Sequence, residues 1–193
     1  PEATEIAVTG AAPKARKATL FADLAATTPG PAVAGAHAAV GPDTVAKLLF
    51  TSGSTGKPKG VINTQRMLCS NQVMLRGVLA FLQDEPPVIC DWLPWHHTFG
   101  GNHNVGLVLY NGGTLYIDDG RPLGDGLDRT VRNLREIAPT VYFNVPKGWE
   151  MLVGRLRGDD ALRERFFSNV KLLFYSGAGM AQFVWDELDA LAR

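Results

Sequence analysis

The order of apolar patterns along this 193-residue chain predicts an α/β fold, a mostly parallel sheet flanked by helices. Two observations carry the prediction. From Val88 onward, short apolar runs of strand length alternate with segments whose apolar residues recur every three or four positions. That alternation implies right-handed crossovers and a sheet covered on both faces. Several strand runs also lead straight into stretches rich in glycine, hydroxyl or aromatic residues, the position beyond strand ends where open α/β sheets bind ligands.

In chain order, residues 1–42 are rich in Ala, Pro, Thr and Gly, as in Ala11-Ala12-Pro13-Lys14, and read as a peripheral or linker segment. A short amphipathic piece at Leu20–Ala26 is its one helical signal. Pro42-Asp43-Thr44-Val45 introduces an apolar strand ending in Leu48, Leu49 and Phe50, and Val61-Ile62-Asn63 is the returning strand of a hairpin. Met67, Leu68, Asn71, Met74, Leu75 and Val78 then follow helical spacing, with Thr64 as N-cap. Strands are expected at Val88–Leu93, Gly113–Ile117, Thr140–Val145 and Leu172–Tyr175. Helices are expected over Asn104–Tyr110, from Leu127 to a stop at Pro139, through Met151, Leu152 and Leu156, and through Phe183, Val184, Leu188 and Leu191.

The stretch between the hairpin strands reads T-S-G-S-T-G-K-P-K-G from Thr51 to Gly60. Gly53, Gly56 and Gly60 let backbone N–H groups converge on an anion without obstruction by Cβ atoms. Thr51, Ser52, Ser54 and Thr55 add hydroxyl donors, and Lys57 and Lys59 add charge. This is a phosphate cradle, but not a Walker A loop: Gly53 and Gly56 are too close, and Pro58 follows Lys57. A second constellation, D-W-L-P-W-H-H-T-F-G-G from Asp91 to Gly101, places aromatic and imidazole groups after a strand. A third, Ser176-Gly177-Ala178-Gly179, is a small-residue strand end against which a flat ring can lie.

Thr51 to Gly60 resembles the signature loop of the adenylate-forming superfamily of acyl-CoA and aryl-CoA synthetases, luciferases and peptide-synthetase adenylation domains, and fits it at every fixed position. The resemblance runs from about Asp43 to the end, so residues 43–193 are expected to be part of an AMP-binding domain, a partial N-terminal domain of such an enzyme. It implies that Thr51, Ser52, Gly53, Ser54, Thr55, Gly56 and Lys59 hold ATP, with Lys59 supporting the chemistry. The family pattern L-P-x-x-H-x-x-G puts the histidine that controls admission of the acid on His97, and pocket residues on Phe99 and Gly100. It also implies that Asn144 borders the pocket and that Ser176, Gly177, Ala178 and Gly179 help form the adenine and acyl pocket.

The runs V-I-N-T-Q-R-M-L-C-S-N-Q, D-W-L-P-W-H-H-T-F-G-G-N-H-N and P-T-V-Y-F-N-V-P-K-G-W-E-M-L look like bacterial feruloyl-CoA synthases in particular. The implied reaction is that of an acid–thiol ligase using ATP, Mg2+ and CoA. A carboxylate, here an aromatic hydroxycinnamate, attacks the α-phosphate to give acyl-AMP and pyrophosphate, and the CoA thiol then displaces AMP. A general carboxylic acid stays open as substrate. No Y-G-x-T-E-like segment, later ribose aspartate or C-terminal lysine domain follows, so the expectation is a piece that does not turn over by itself. Two alternatives stand beside this one: a non-catalytic nucleotide-binding or interaction module that kept the loop, and a structural remnant without a ligand.

Nineteen basic residues balance nineteen acidic ones, so no global field argues for nucleic acid or an anionic membrane surface, and any anion site must be local. No apolar run approaches the ~20 residues of a membrane span, and a cytoplasmic protein is expected. Cys69 and Cys90 lack metal spacing and read as buried small hydrophobes. His96 and His103 read as loop histidines satisfied by backbone carbonyls, with no metal expected. Asp118-Asp119-Gly120 reads as a solvated turn rather than a magnesium site.

Overall fold

The computed structural model describes residues 7–9, 18–51, 57–122 and 124–193. It resolves into two contact units, Pro1–Gly41 and Pro42–Arg193. In the first, β1 (Ala7–Val8) pairs in parallel with β2 (Thr19–Leu20), followed by α1 (Phe21–Ala25) and α2 (Pro31–Ala38). α2 escapes a reading by periodicity because its Ala- and Gly-rich sequence buries no residue and so has no apolar stripe. Pro31 at its first position is its one start signal.

The second unit begins with the hairpin of β3 (Val45–Thr51) and β4 (Lys59–Thr64), antiparallel, with Thr51 opposite Lys59 at the base of the loop. Thr64 caps α3 (Gln65–Val78), its hydroxyl accepting from the backbone N–H of Met67 at 3.3 Å. A 3₁₀ turn over Ala80–Gln83 leads to β5 (Val88–Asp91). Next come a π-helix over Phe99–Asn104, α4 (Val105–Asn111), β6 (Thr114–Ile117) and α5 (Asp125–Glu136). β7 (Val141–Asn144), α6 (Pro146–Arg157), α7 (Asp160–Phe167), β8 (Leu172–Tyr175) and α8 (Gln182–Leu191) complete it.

β5 pairs in parallel with β6, and β7 with β8. Thr140 joins the two pairs: its backbone N–H donates to Val88 O at 2.9 Å, and its hydroxyl accepts from Val88 N at 2.8 Å. Successive side chains of a strand point to opposite faces, and both faces here are buried. Ile89, Val141 and Phe143 join Leu82, Leu93, Leu107 and Val108 in one core. Cys90 and Tyr142 face the other, packed with Leu134, Trp149, Leu156, Phe166 and Leu188 from α5 to α8. β5 and β7, buried on both faces, therefore read as near-continuous apolar runs rather than alternating ones.

Several sequence expectations are corrected. α7 follows Asp159, whose carboxylate caps it by accepting from Leu162 N at 3.0 Å; only Leu162 and Phe166 of this charged helix are buried, too few for a clear period. Asp118 is not part of a solvated turn. Only 6% exposed, it accepts from Thr130 Oγ1 at 2.6 Å, Gly120 N at 2.8 Å and Asn133 Nδ2 at 2.7 Å, and so ties the end of β6 to α5. The neighbouring Asp119 is the exposed member, paired with Arg132. Cys90 is buried as expected, but Cys69 is exposed on α3. Among the described residues no helix is long and apolar enough to cross a membrane.

Candidate functional site

A cavity of about 630 Å³ opens at the carboxyl ends of β5, β7 and β8, within the size range of small-molecule sites. Trp92, Phe99 and Phe174 give it an aromatic wall, Met67 and Leu68 of α3 an aliphatic one, and His97, Asn102 and Ser176 polar points. Among its described lining residues none is Asp, Glu, Lys or Arg. The described lining is thus largely apolar, with a few neutral polar points.

Much of the wall is shaped by the π-helix. A Cβ at Gly100 would sit 2.7 Å from the carbonyl oxygen of Pro94, and one at Gly101 would fall on that of Trp95. Two consecutive glycines are what allow this segment to lie directly on the loop after β5. The turn turns Phe99 toward Phe143 and Phe174, with ring centroids 6.1 and 5.8 Å away. His97 is exposed beside it, its Nδ1 accepting from Phe99 N at 3.2 Å. That bond leaves Nε2 as the N–H of the neutral ring. The sequence expectation of a helix starting at Asn104 missed the π-turn because Gly100-Gly101-Asn102-His103-Asn104 contains no apolar residue to set a period.

His97, Phe99, Ser176 and Gly177 all line this cavity. Gly177, Ala178 and Gly179 line an adjoining hollow of about 430 Å³ with Val145, Pro146 and Lys147; Val145 and Gly177 belong to both. Gly177 has φ +100, a conformation other residues rarely adopt, and keeps the strip between the two spaces free of side chain. Asn144 and Gly100 stand behind the lining rather than in it. Asn144, 2% exposed, accepts from Trp92 Nε1 at 3.3 Å and from Val145 N at 2.9 Å, and so holds a lining indole in place. Thr51 and Lys59 are exposed, facing each other across the hairpin base. Ser52, Gly53, Ser54, Thr55 and Gly56 lie outside the described residues.

His103 is the residue the sequence reading passed over. It is not a loop histidine satisfied by backbone carbonyls. It lines the cavity, stacks on Phe174 with centroids 5.6 Å apart, and has Nδ1 2.9 Å from Asn104 Oδ1. Burial lowers its pKa from the usual imidazole value, against the opposing pull of the Asn104 bond. Asn63, Asn71 and Asn102 also line the cavity unforeseen. All three lie within the resembling runs quoted above, but at no position that the family pattern marks.

The model of the AMP-binding enzyme family matches residues 2–193. The chain is 32% identical over 116 residues to the medium-chain-fatty-acid–[acyl-carrier-protein] ligase TtuA of Teredinibacter turnerae, a match covering 60% of this chain and 15% of that protein. It is 28% identical over 154 residues to the peroxisomal long chain acyl-CoA synthetase 6 of Arabidopsis thaliana, covering 76% of this chain and 21% of the relative. A malonyl-CoA ligase, solved as a ternary product complex with methylmalonyl-CoA and AMP, superposes with a TM-score of 0.63 at 24% identity, over 79% of this chain and 31% of that one. This last likeness is one of fold. The chain spans about a fifth or less of the length of these two curated relatives.

Proposed function

We propose, from the premise that the chain belongs to the AMP-binding enzyme family, that it is part of an ATP-dependent carboxylic acid–CoA ligase acting on an aromatic hydroxycinnamate such as ferulate. Residues 43–193 then form part of the adenylation domain, with 1–42 peripheral to it. The observation that carries the choice of acid is the cavity wall: Trp92, Phe99 and Phe174 around a space with no charged residue among its described lining. A flat aromatic body is matched by offset and edge-on aromatic contacts. A short dicarboxylate would find no cation there for its second charge.

In this reading the acid lies along the aromatic wall with its carboxylate toward His97, whose Nε2–H is free to donate. The adjoining hollow at Gly177, Ala178 and Gly179 takes the adenine, its bare backbone permitting close approach of a flat ring. The residues present fit ATP: Thr51 and Lys59 flank the hairpin loop, where a hydroxyl and an ammonium suit the triphosphate. Mg2+ would arrive with the phosphates. Among the described residues there is no group of three acidic, histidine or cysteine side chains to cage it, and magnesium bound to nucleotides needs none. Lys59 and the loop amides would neutralise the charge that builds on pyrophosphate as the carboxylate attacks the α-phosphate. CoA then accepts the acyl group from the adenylate.

The test is a binding comparison on the 193-residue chain with three acids: ferulate, octanoate and malonate. The reading predicts that ferulate binds most tightly and that His97→Ala weakens it. Tighter binding of octanoate, in line with the fatty-acid ligases among the relatives, would remove the aromatic assignment.

A further inference from the structure

His103 is held in the cavity wall by its ring and by one nitrogen. The ring stacks on Phe174 and meets Phe143 edge-on, with centroids 5.0 Å apart. Nδ1 lies 2.9 Å from Oδ1 of the fully buried Asn104, whose Nδ2 in turn donates to Asp91 Oδ2 at 2.9 Å. Asp91, also buried, accepts from Leu93 N at 3.1 Å through its other oxygen.

The direction of every bond in this chain follows from its first member. Above its burial-raised pKa Asp91 is a carboxylate, which offers acceptors alone, and one of its oxygens takes the Leu93 N–H. Asn104 must therefore turn its NH2 toward Asp91 and its carbonyl toward His103. A carbonyl takes only donors, so Nδ1 carries the hydrogen, and in a neutral imidazole Nε2 keeps its lone pair. Burial of His103 favours the neutral ring. With Nδ1 turned back to Asn104, Nε2 is the hydrogen-bonding atom on the edge left to the cavity. Asn102 Oδ1, in the same π-helix, is a buried acceptor with no hydrogen-bond partner among the described residues.

We propose that Asp91 and Asn104 are positioning residues that lock His103 in its Nδ1–H tautomer, so that Nε2 faces the cavity as an acceptor and selects aromatic acids bearing a ring hydroxyl over those without one. The selectivity rests on the reading of this cavity as the pocket for the acid; the tautomer does not. A pocket built to receive a hydroxyl rejects the analogue lacking it because its own buried polar atom is left unpaired.

The experiment uses the full chain labelled with 15N-histidine, read by NMR, and titrated with 4-hydroxycinnamate and cinnamate. In the unliganded protein Nδ1 is expected to show the shift of a protonated nitrogen and Nε2 that of an unprotonated one. The hydroxylated acid should bind roughly tenfold more tightly than cinnamate, and His103→Phe should abolish that preference. Asp91→Asn adds a readout that lost packing alone would not move. An amide at 91 accepts from Leu93 N and donates to Asn104, which must flip and present its NH2 to His103, moving the proton to Nε2. Because a ring hydroxyl also accepts, this swap is read in the two 15N shifts, which should exchange, rather than in the acid preference. Protonated Nε2 in the unaltered chain, or a hydroxyl preference that survives in His103→Phe, overturns the proposal. If the tautomer is as stated but neither acid binds, the acid-pocket reading has failed and the selectivity with it. The tautomer result separates the two.

Discussion

The carbonyl oxygen of the Asn144 side chain, at the end of β7, accepts from the indole N–H of Trp92 at 3.3 Å across 52 residues of sequence. The same oxygen accepts from Val145 N at 2.9 Å. One buried amide thus joins the first turn after β7 to the aromatic wall of the cavity. A Cβ at Gly148, on the first turn of α6, would fall on that amide.

Asn144→Ala is expected to lower stability by about 1–3 kcal/mol, since it leaves the Trp92 N–H and the Val145 amide short of a partner. Chemical denaturation measures this, and the NMR resonance of the Trp92 indole N–H reports the freed ring. Gly148→Ala should shift the same resonance by displacing Asn144, with a cost of about 1–3 kcal/mol from overpacking.

Trp149 tests the opposite core. It is 1% exposed, packs edge-on against Tyr142 with centroids 5.3 Å apart, and donates from Nε1 to Phe174 O at 3.1 Å. Trp149→Ala is expected to cost about 3–5 kcal/mol. Asp159→Ala, which removes only the cap of α7 and a surface ion pair with Arg135, should cost about 1 kcal/mol. The two midpoints in a denaturant titration give the comparison directly.

The two thiols should differ sharply in reactivity. Cys90 is buried between Asp91 and Asp118, and burial first, then those carboxylates, push its pKa up to about 12. Since the thiolate is the reactive form, Cys90 is expected to stay silent toward a thiol reagent at neutral pH until the protein unfolds, while the exposed Cys69 reacts in the native state. A native-state titration that counts both thiols contradicts the buried position of Cys90.

Folding stability should depend on pH through His103. Its folded pKa lies below the ordinary value of 6.5, so as pH falls through that value the unfolded chain takes up the proton first. The contribution is intact above 6.5 and is lost as pH falls toward the folded pKa. Asp91, raised by burial from 3.8, slopes the other way: its contribution is present below 3.8 and lost as pH rises through its folded pKa. Stability measured against pH should therefore decline just below 6.5, and His103→Phe should flatten that part of the curve.

How much of this was legible in the sequence varied with the source of order. β8 covers the residues its apolar run predicted, Leu172–Tyr175, and α3 follows from three-and-four spacing behind Thr64. In α3 the period found the helix but not its buried side: Met67, Met74 and Val78 are exposed, and the buried residue is Gln72. The π-helix, Asp118 and His103 owe their environments to partners distant in sequence or to backbone contact: Gly101 lying on Trp95, Thr130 and Asn133 closing on Asp118, Phe174 stacking on His103. No local period encodes such contacts. The motif pattern named His97 and Phe99, which line the cavity, whereas Asn102 and His103 lay inside the resembling run but outside the fixed positions of that pattern.

Nucleotide binding depends on Lys59 in this account. Lys59→Ala should weaken ATP by roughly 10- to 100-fold, the loss of a charge-assisted contact of about 1.5–3 kcal/mol, as read by calorimetry on the chain. Unchanged affinity would remove the hairpin loop from the phosphate site.

The most direct test of the central claim is an NMR titration of the chain with ferulate, following the Trp92 indole N–H and the rings of Phe99 and Phe174. The account predicts saturable shifts at all three and a binding curve weakened at least about fivefold by Phe99→Ala, the scale of one lost aromatic contact. Shifts confined to other parts of the chain, or an affinity indifferent to Phe99→Ala, would contradict it.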